Sequence, residues 1–179
     1  MERNKKYFVA IIPPDSVFEK IENIKLEIFN EYKLKGALRS PSHITLHRPF
    51  SWKSDRENEL IEKLGTFHFN KKFLIQLYNF NTFSPRVIYV DVKKSNELTD
   101  LHYLFMGFAK RELGLFNELN DLRGFYPHIT IAFRDLKKQQ FYKMWEKFEK
   151  KTFEDQFNYQ GFSLLCLDKK WEILHNFTI

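Results

Sequence analysis

The chain has 179 residues, 43% of them hydrophobic and 20 of them Phe, and carries a formal net charge of +6. That length and composition allow one domain, or two closely packed lobes, around a real core. Six glycines with no glycine-rich run exclude a P-loop type of nucleotide site, and the lone Cys166 excludes an internal disulfide.

Tyr7-Phe8-Val9-Ala10-Ile11-Ile12 predicts a buried strand, stopped by Pro13-Pro14. It is too short for a signal-peptide core or a membrane span. Ser16 with Glu19 reads as a capping box, and Val17, Ile21, Ile24, Ile28 and Tyr32 mark one face of a helix over 16–32. Gly36 and Pro41 bracket a loop that leads into Ser42-His43-Ile44-Thr45-Leu46-His47, a strand expected to end at Pro49. Ser54 with Glu57 reads as a second capping box, opening a short helix through Leu60, Ile61 and Leu64 that Gly65 closes. Phe73 to Tyr78 is strand-like.

Pro85 begins a second half with the same order of elements. Val87 to Val92 predicts a strand. Leu98, Leu101, Leu104, Phe105 and Phe108 predict a long helix capped at Ser95 or Asn96. A loop lies between Gly114 and Gly124. Pro127-His128-Ile129-Thr130-Ile131-Ala132-Phe133 repeats the earlier His-Ile-Thr strand, and Asp135 is placed to cap a fourth helix through Phe141, Met144, Trp145 and Phe148. Two or three strands finish the chain, with a hairpin turning at Asp168-Lys169-Lys170. The expectation is an α+β fold of two pseudo-symmetric lobes, halves 1–82 and 83–179, each a mainly antiparallel sheet flanked by helices. A central groove would carry the two His-x-Thr strands.

Side chains alternate along a strand. On that rule His43, Thr45 and His47 face one way and Ile44 and Leu46 the other. His128, Thr130, Ala132 and Arg134 share a face, opposite Ile129, Ile131 and Phe133. One face of each strand is core, and the other offers an imidazole beside a hydroxyl. The structural alternative for each motif alone is a core histidine satisfied by hydrogen bonds, but the matched pair favours a function. The lysines come as scattered doublets, which fit a solvated surface better than a nucleic-acid stripe, although the charge permits a phosphate-rich partner. Cys166 sits in an apolar run as an inert thiol. No Cys/His spacing suits a metal.

These residues resemble the two-histidine phosphoesterase superfamily, which includes bacterial 2′-5′ RNA ligase-like proteins and 2′,3′-cyclic phosphodiesterases. The resemblance covers nearly the whole chain: the Tyr7–Ile11 strand before two prolines, Phe83-Ser84-Pro85-Arg86-Val87-Ile88-Tyr89-Val90 at mid-chain, Pro127-His128-Ile129-Thr130, and the closing Trp171-Glu172-Ile173-Leu174. Leu46-His47-Arg48-Pro49-Phe50 is similar to the proline-containing branch of the family rather than to the ligase-like proteins.

The resemblance implies catalytic pairs His43 with Thr45 and His128 with Thr130, with no metal and no cofactor. It implies a cyclic phosphodiesterase acting on RNA 2′,3′-cyclic phosphate ends or small cyclic nucleotides. The alternatives are 2′-5′ RNA ligation or a weakly catalytic nucleotide- or RNA-binding module. Imidazole titrates near neutrality, so two of them can divide acid and base work on one phosphate. Arg134 is a candidate phosphate contact, His47 a candidate groove-lining residue, and Tyr126, with Tyr7 and Tyr89, a candidate stacking surface for a base. The protein is expected to be a cytoplasmic monomer with no membrane association.

Overall fold

The computed structural model describes residues 4–116 and 124–179. Most of the predicted loop after Gly114 lies outside the described residues. The described chain folds into eight strands and four α-helices: β1 (Asn4–Ile11), α1 (Asp15–Tyr32), β2 (Ile44–Lys53), α2 (Glu57–Gly65), β3 (Leu74–Phe83), β4 (Val87–Val92), α3 (Asn96–Leu113), β5 (His128–Ala132), α4 (Lys138–Phe148), β6 (Glu154–Asn158), β7 (Gly161–Leu167) and β8 (Trp171–Thr178). They form two antiparallel sheets, ordered β2-β1-β7-β8 and β5-β4-β3-β6. The α+β, two-sheet architecture is as the element pattern predicts.

The sheets do not follow the chain halves. β3, from the first half, pairs with β4 and β6, and the C-terminal hairpin β7-β8 returns to pair with β1. Each half therefore completes the other's sheet. The two motif strands, β2 and β5, are the edge strands of their sheets and lie against one another. One continuous core, from Val9, Ile21 and Ile44 through Phe105, Ile129 and Met144, runs beneath both sheets. Phe8, Ala10 and Leu165 form a separate small cluster on the opposite face of the first sheet.

Helix starts differ from the sequence expectation in three places. α1 begins at Asp15 with Pro14 at its N-cap, so Ser16 falls inside the helix and caps nothing. Ser54 opens a short 3₁₀ turn ahead of α2. α4 is capped at Lys137. Asp135 instead accepts backbone N–H bonds from Lys35 (2.6 Å) and Gly36 (3.0 Å), tying the loop after α1 to the end of the second motif strand. Only Ser95 caps as read, accepting from Leu98 N–H at 3.1 Å. β2 does not stop at Pro49. As an edge strand it tolerates the missing donor and runs on to Lys53.

Candidate functional site

Both motif histidines are anchored in the same way. His43 Nδ1 lies 2.6 Å from the Pro41 carbonyl oxygen, and His128 Nδ1 lies 2.7 Å from the Tyr126 carbonyl oxygen, two residues upstream in each case. A carbonyl only accepts, so each Nδ1 carries the proton. In the neutral ring that leaves Nε2 with a lone pair. The prolines sit differently in the two approaches: Pro41 itself supplies the accepting carbonyl in the first, whereas in the second Pro127 follows the accepting Tyr126 and holds it extended.

Aromatic rings support both imidazoles. Phe8 packs on His43 with centroids 4.8 Å apart and is itself braced by the edge of Trp171 at 4.7 Å. Tyr89 (4.9 Å) and Phe83 (5.0 Å) pack on His128, and Tyr126 closes on Phe83 at 5.5 Å. Tyr7 and Tyr89 are buried, so neither is free to stack on a base, whereas Tyr126 is 39% exposed. Tyr7 spends its hydroxyl on Glu57 Oε2, 2.7 Å away. His43, Thr45, His128 and Thr130 are all half-buried.

Three residues predicted on the motif faces are elsewhere, two of them because of a bulge and the third because its strand ends. Ala10 pairs with Thr45 but Val9 pairs with His47, so Leu46 is an extra residue in β2. Directly opposed antiparallel residues point the same way, and Val9 faces the main core, so the bulge sends His47 inward. His47 is 3% exposed and donates from Nδ1 to the Arg48 carbonyl at 2.8 Å. The second motif carries the matching bulge: Tyr89 pairs with Thr130 but Ile88 pairs with Ala132, which is buried. The strand ends there. Arg134 lies beyond it in a left-handed conformation (φ 63°), exposed, with its guanidinium 5.1 Å from the Phe133 ring centroid. It does not continue the His128 face.

His47 Nε2 and both ring nitrogens of His102 are buried without a hydrogen-bond partner among the described residues. His102 stacks on Phe125 at 3.9 Å, and burial pushes its pKa down to about 4. The nearby Leu46 carbonyl pulls the other way but forms no well-aligned bond. Burial lowers His47 as well. Because the folded state holds these rings neutral, the unfolded chain binds more protons below pH 6.5. Stability is complete above that value and declines as pH falls toward 4, by about 3 kcal/mol for His102 alone. Urea denaturation across pH 7.5 to 4 should show that slope, and His102→Leu should reduce it by the His102 share, leaving the part due to the other buried histidines.

The electrostatics of His43 are distinctive. Burial lowers its pKa to about 4, and the positive charges of Lys25 and His128 act in the same direction, against the Pro41 carbonyl and Glu22. A cavity of about 740 Å³ is lined by Tyr126, Pro127, Asp91, Tyr78, Gln76 and Gln156 among others; neither motif histidine is part of its lining, though Pro127 precedes His128. Asp91 is the cross-strand partner of His128 and accepts from Asn81 Nδ2 at 3.1 Å. Sequence patterns gave no hint of Asp91 or of Asn81. Among the described residues no group of three or more His, Cys, Asp or Glu is placed to hold a metal, and no helix is long and apolar enough to cross a membrane.

Two antiparallel sheets, joined along edge strands that each present a tied-back imidazole, define a two-histidine α+β protein. The chain belongs to the 2′-5′ RNA ligase superfamily, whose sequence pattern matches residues 13–171. A Bacillus anthracis protein provisionally named a phosphoesterase is 27% identical over 130 residues, covering 71% of this chain and 69% of that one. Among solved structures, E. coli LigT complexed with 3′-AMP superposes with a TM-score of 0.69 at 18% identity, over 99% of both chains. TT0787 of Thermus thermophilus gives 0.62 at 17% identity, over 97% of both. These structures share the fold.

Proposed function

We propose that this phosphoesterase-family chain hydrolyses 2′,3′-cyclic phosphodiesters, at RNA ends or in small cyclic nucleotides, by two-histidine acid–base catalysis. One observation carries the reading. Both imidazoles are held by Nδ1–H bonds to the carbonyl two residues back, the same tautomer in both motifs, which makes Nε2 the nitrogen that would exchange protons with substrate. Water attacks phosphorus as one Nε2 takes its proton, the P–O bond to one ribose oxygen breaks, and the other imidazolium Nε2–H protonates that oxygen. Water's O–H is consumed, and one phosphomonoester and one hydroxyl result. Thr45 and Thr130, next to the imidazoles on the motif faces, would donate hydroxyl hydrogen bonds to the non-bridging oxygens as their charge grows.

His43 fits the base role, since its surroundings keep it neutral at rest, and His128 then supplies the proton. The nucleoside would extend toward the cavity lined by Tyr126 and Pro127, with Tyr126 against the base. LigT binds 3′-AMP and NADP+ in its solved complexes, which supports a nucleotide ligand here. A base must be deprotonated to act, and the His43 pKa lies below the usual imidazole value. The acidic limb of kcat/KM should therefore fall below pH 6.5, toward 4, and a pH–rate profile bounded by the fold's stability checks this.

The direct test is turnover of 2′,3′-cyclic AMP and of an RNA oligonucleotide ending in a 2′,3′-cyclic phosphate, followed by ³¹P NMR. A single phosphomonoester product supports hydrolysis. Joining of the cyclic end to a 5′-hydroxyl RNA instead would move the activity to ligation. Binding of both compounds without conversion would leave a binding module.

A further inference from the structure

Lys25 lies on α1 and is 2% exposed, on a helix face otherwise made of Val17, Ile21 and Ile28. A buried ion pair is often no more stabilising than apolar residues of the same volume. A methionine there would serve the core as well. The ammonium is instead tied to the approach to the first motif by two hydrogen bonds. Lys25 Nζ donates to Glu22 Oε1 at 2.8 Å and to the Ser40 carbonyl at 3.1 Å. The same Glu22 oxygen accepts from Ser42 N–H at 2.8 Å and from Ser42 Oγ at 2.7 Å. Ser40 and Ser42 flank Pro41, and the Pro41 carbonyl is the group that receives His43 Nδ1–H. One cation and one carboxylate on a rigid helix thus hold both sides of the residue that orients the imidazole.

We propose that Lys25 and Glu22 are positioning residues for His43. Through Ser40 and Ser42 they fix the Pro41 carbonyl, and through it the Nδ1–H tautomer and the ring orientation that turns Nε2 toward the substrate phosphate. The kinetic part of this rests on the proposed hydrolysis; the tautomer part does not. Second-layer contacts that fix a ring nitrogen matter because a small misplacement of a catalytic group can cost roughly 10²-fold in rate.

The test compares the full chain with Lys25→Met, which keeps the length of the side chain without its charge, and with Ser42→Ala, which removes one hydroxyl. Long-range ¹H–¹⁵N spectra report the tautomer of His43, with His128 as the internal reference, and steady-state kinetics on 2′,3′-cyclic AMP separate kcat from KM. Lys25→Met should lower kcat roughly 10- to 100-fold with KM changed by less than about twofold. It should also mix the His43 tautomers while His128 keeps its Nδ1–H signature. Ser42→Ala should move both readouts the same way by less, and it decides the matter if Lys25→Met does not fold. A folded variant with unchanged His43 spectra and kcat would overturn the proposal, as would spectral changes shared equally by His128. If the wild-type chain converts no cyclic phosphodiester, the functional reading fails, and the tautomer comparison still decides the positioning role.

Discussion

His43→Ala and His128→Ala should each lower kcat for a 2′,3′-cyclic nucleotide by roughly 10²- to 10⁴-fold, the usual worth of one general acid or base. Each imidazole is half-buried and held to a backbone carbonyl, so neither core nor sheet register depends on it. Thermal unfolding of the variants should therefore stay close to wild type, and the loss should appear in kcat with KM little changed. The double variant should be far less impaired than the product of the two single losses, because the residues act as one unit on one phosphate. A single variant with near-wild-type turnover would remove the paired mechanism. Thr45→Val and Thr130→Val remove one hydroxyl each, so their losses should be smaller.

Gly36→Ala should have the second-largest effect, and by a different route. The Gly36 backbone is in an ordinary helical conformation (φ −56°), so its freedom is not the point. Space is. A Cβ there would meet the Phe133 carbonyl oxygen in hard overlap and lie 2.7 Å from Asp135 Oδ1. The Gly36 and Lys35 N–H bonds to Asp135 link the loop leading to the first motif with the residues just after the second. Overpacking of this kind costs about 1–3 kcal/mol. Gly36→Ala should lower the urea midpoint accordingly and also depress kcat in the fraction that remains folded, because the two edge strands lose their fixed separation. Asp135→Ala removes the bonds without the clash, so it should reproduce part of the kinetic effect at a smaller cost in stability.

Much of this site is legible in the sequence because its causes are local. Ile44 and Leu46, and Ile129 and Ile131, are apolar at alternate positions, which fixes two half-buried strands and puts His43 and His128 on their other faces. The failures share a cause in pairing between distant residues. One extra residue in β2, opposite Val9 and Ala10, turns His47 into the core, and its counterpart in β5 does the same to Ala132. No single strand's pattern reveals a bulge, because the partner strand defines it. Arg134 falls off its predicted face because β5 ends at Ala132. The exchange of β3 and the β7-β8 hairpin between the halves is equally non-local.

Lys25 is a different case. It stands four residues after Ile21 and three before Ile28, squarely on the apolar stripe of α1, a spacing that would mark a buried charge in need of a partner but that the apolar positions alone leave unremarked. The capping serines show the converse. Ser16 and Ser54 carry the right local pattern, but Pro14 and a 3₁₀ turn set the actual helix starts.

Two-histidine catalysis requires one anion to meet both imidazoles at once. Titrating the full chain with inorganic phosphate while following the Nε2 resonances of His43 and His128 tests that directly. Both signals should move together and fit one dissociation constant, and His128→Ala should weaken the response of His43. Movement of one ring alone, or two unrelated binding constants, would contradict a shared phosphate site.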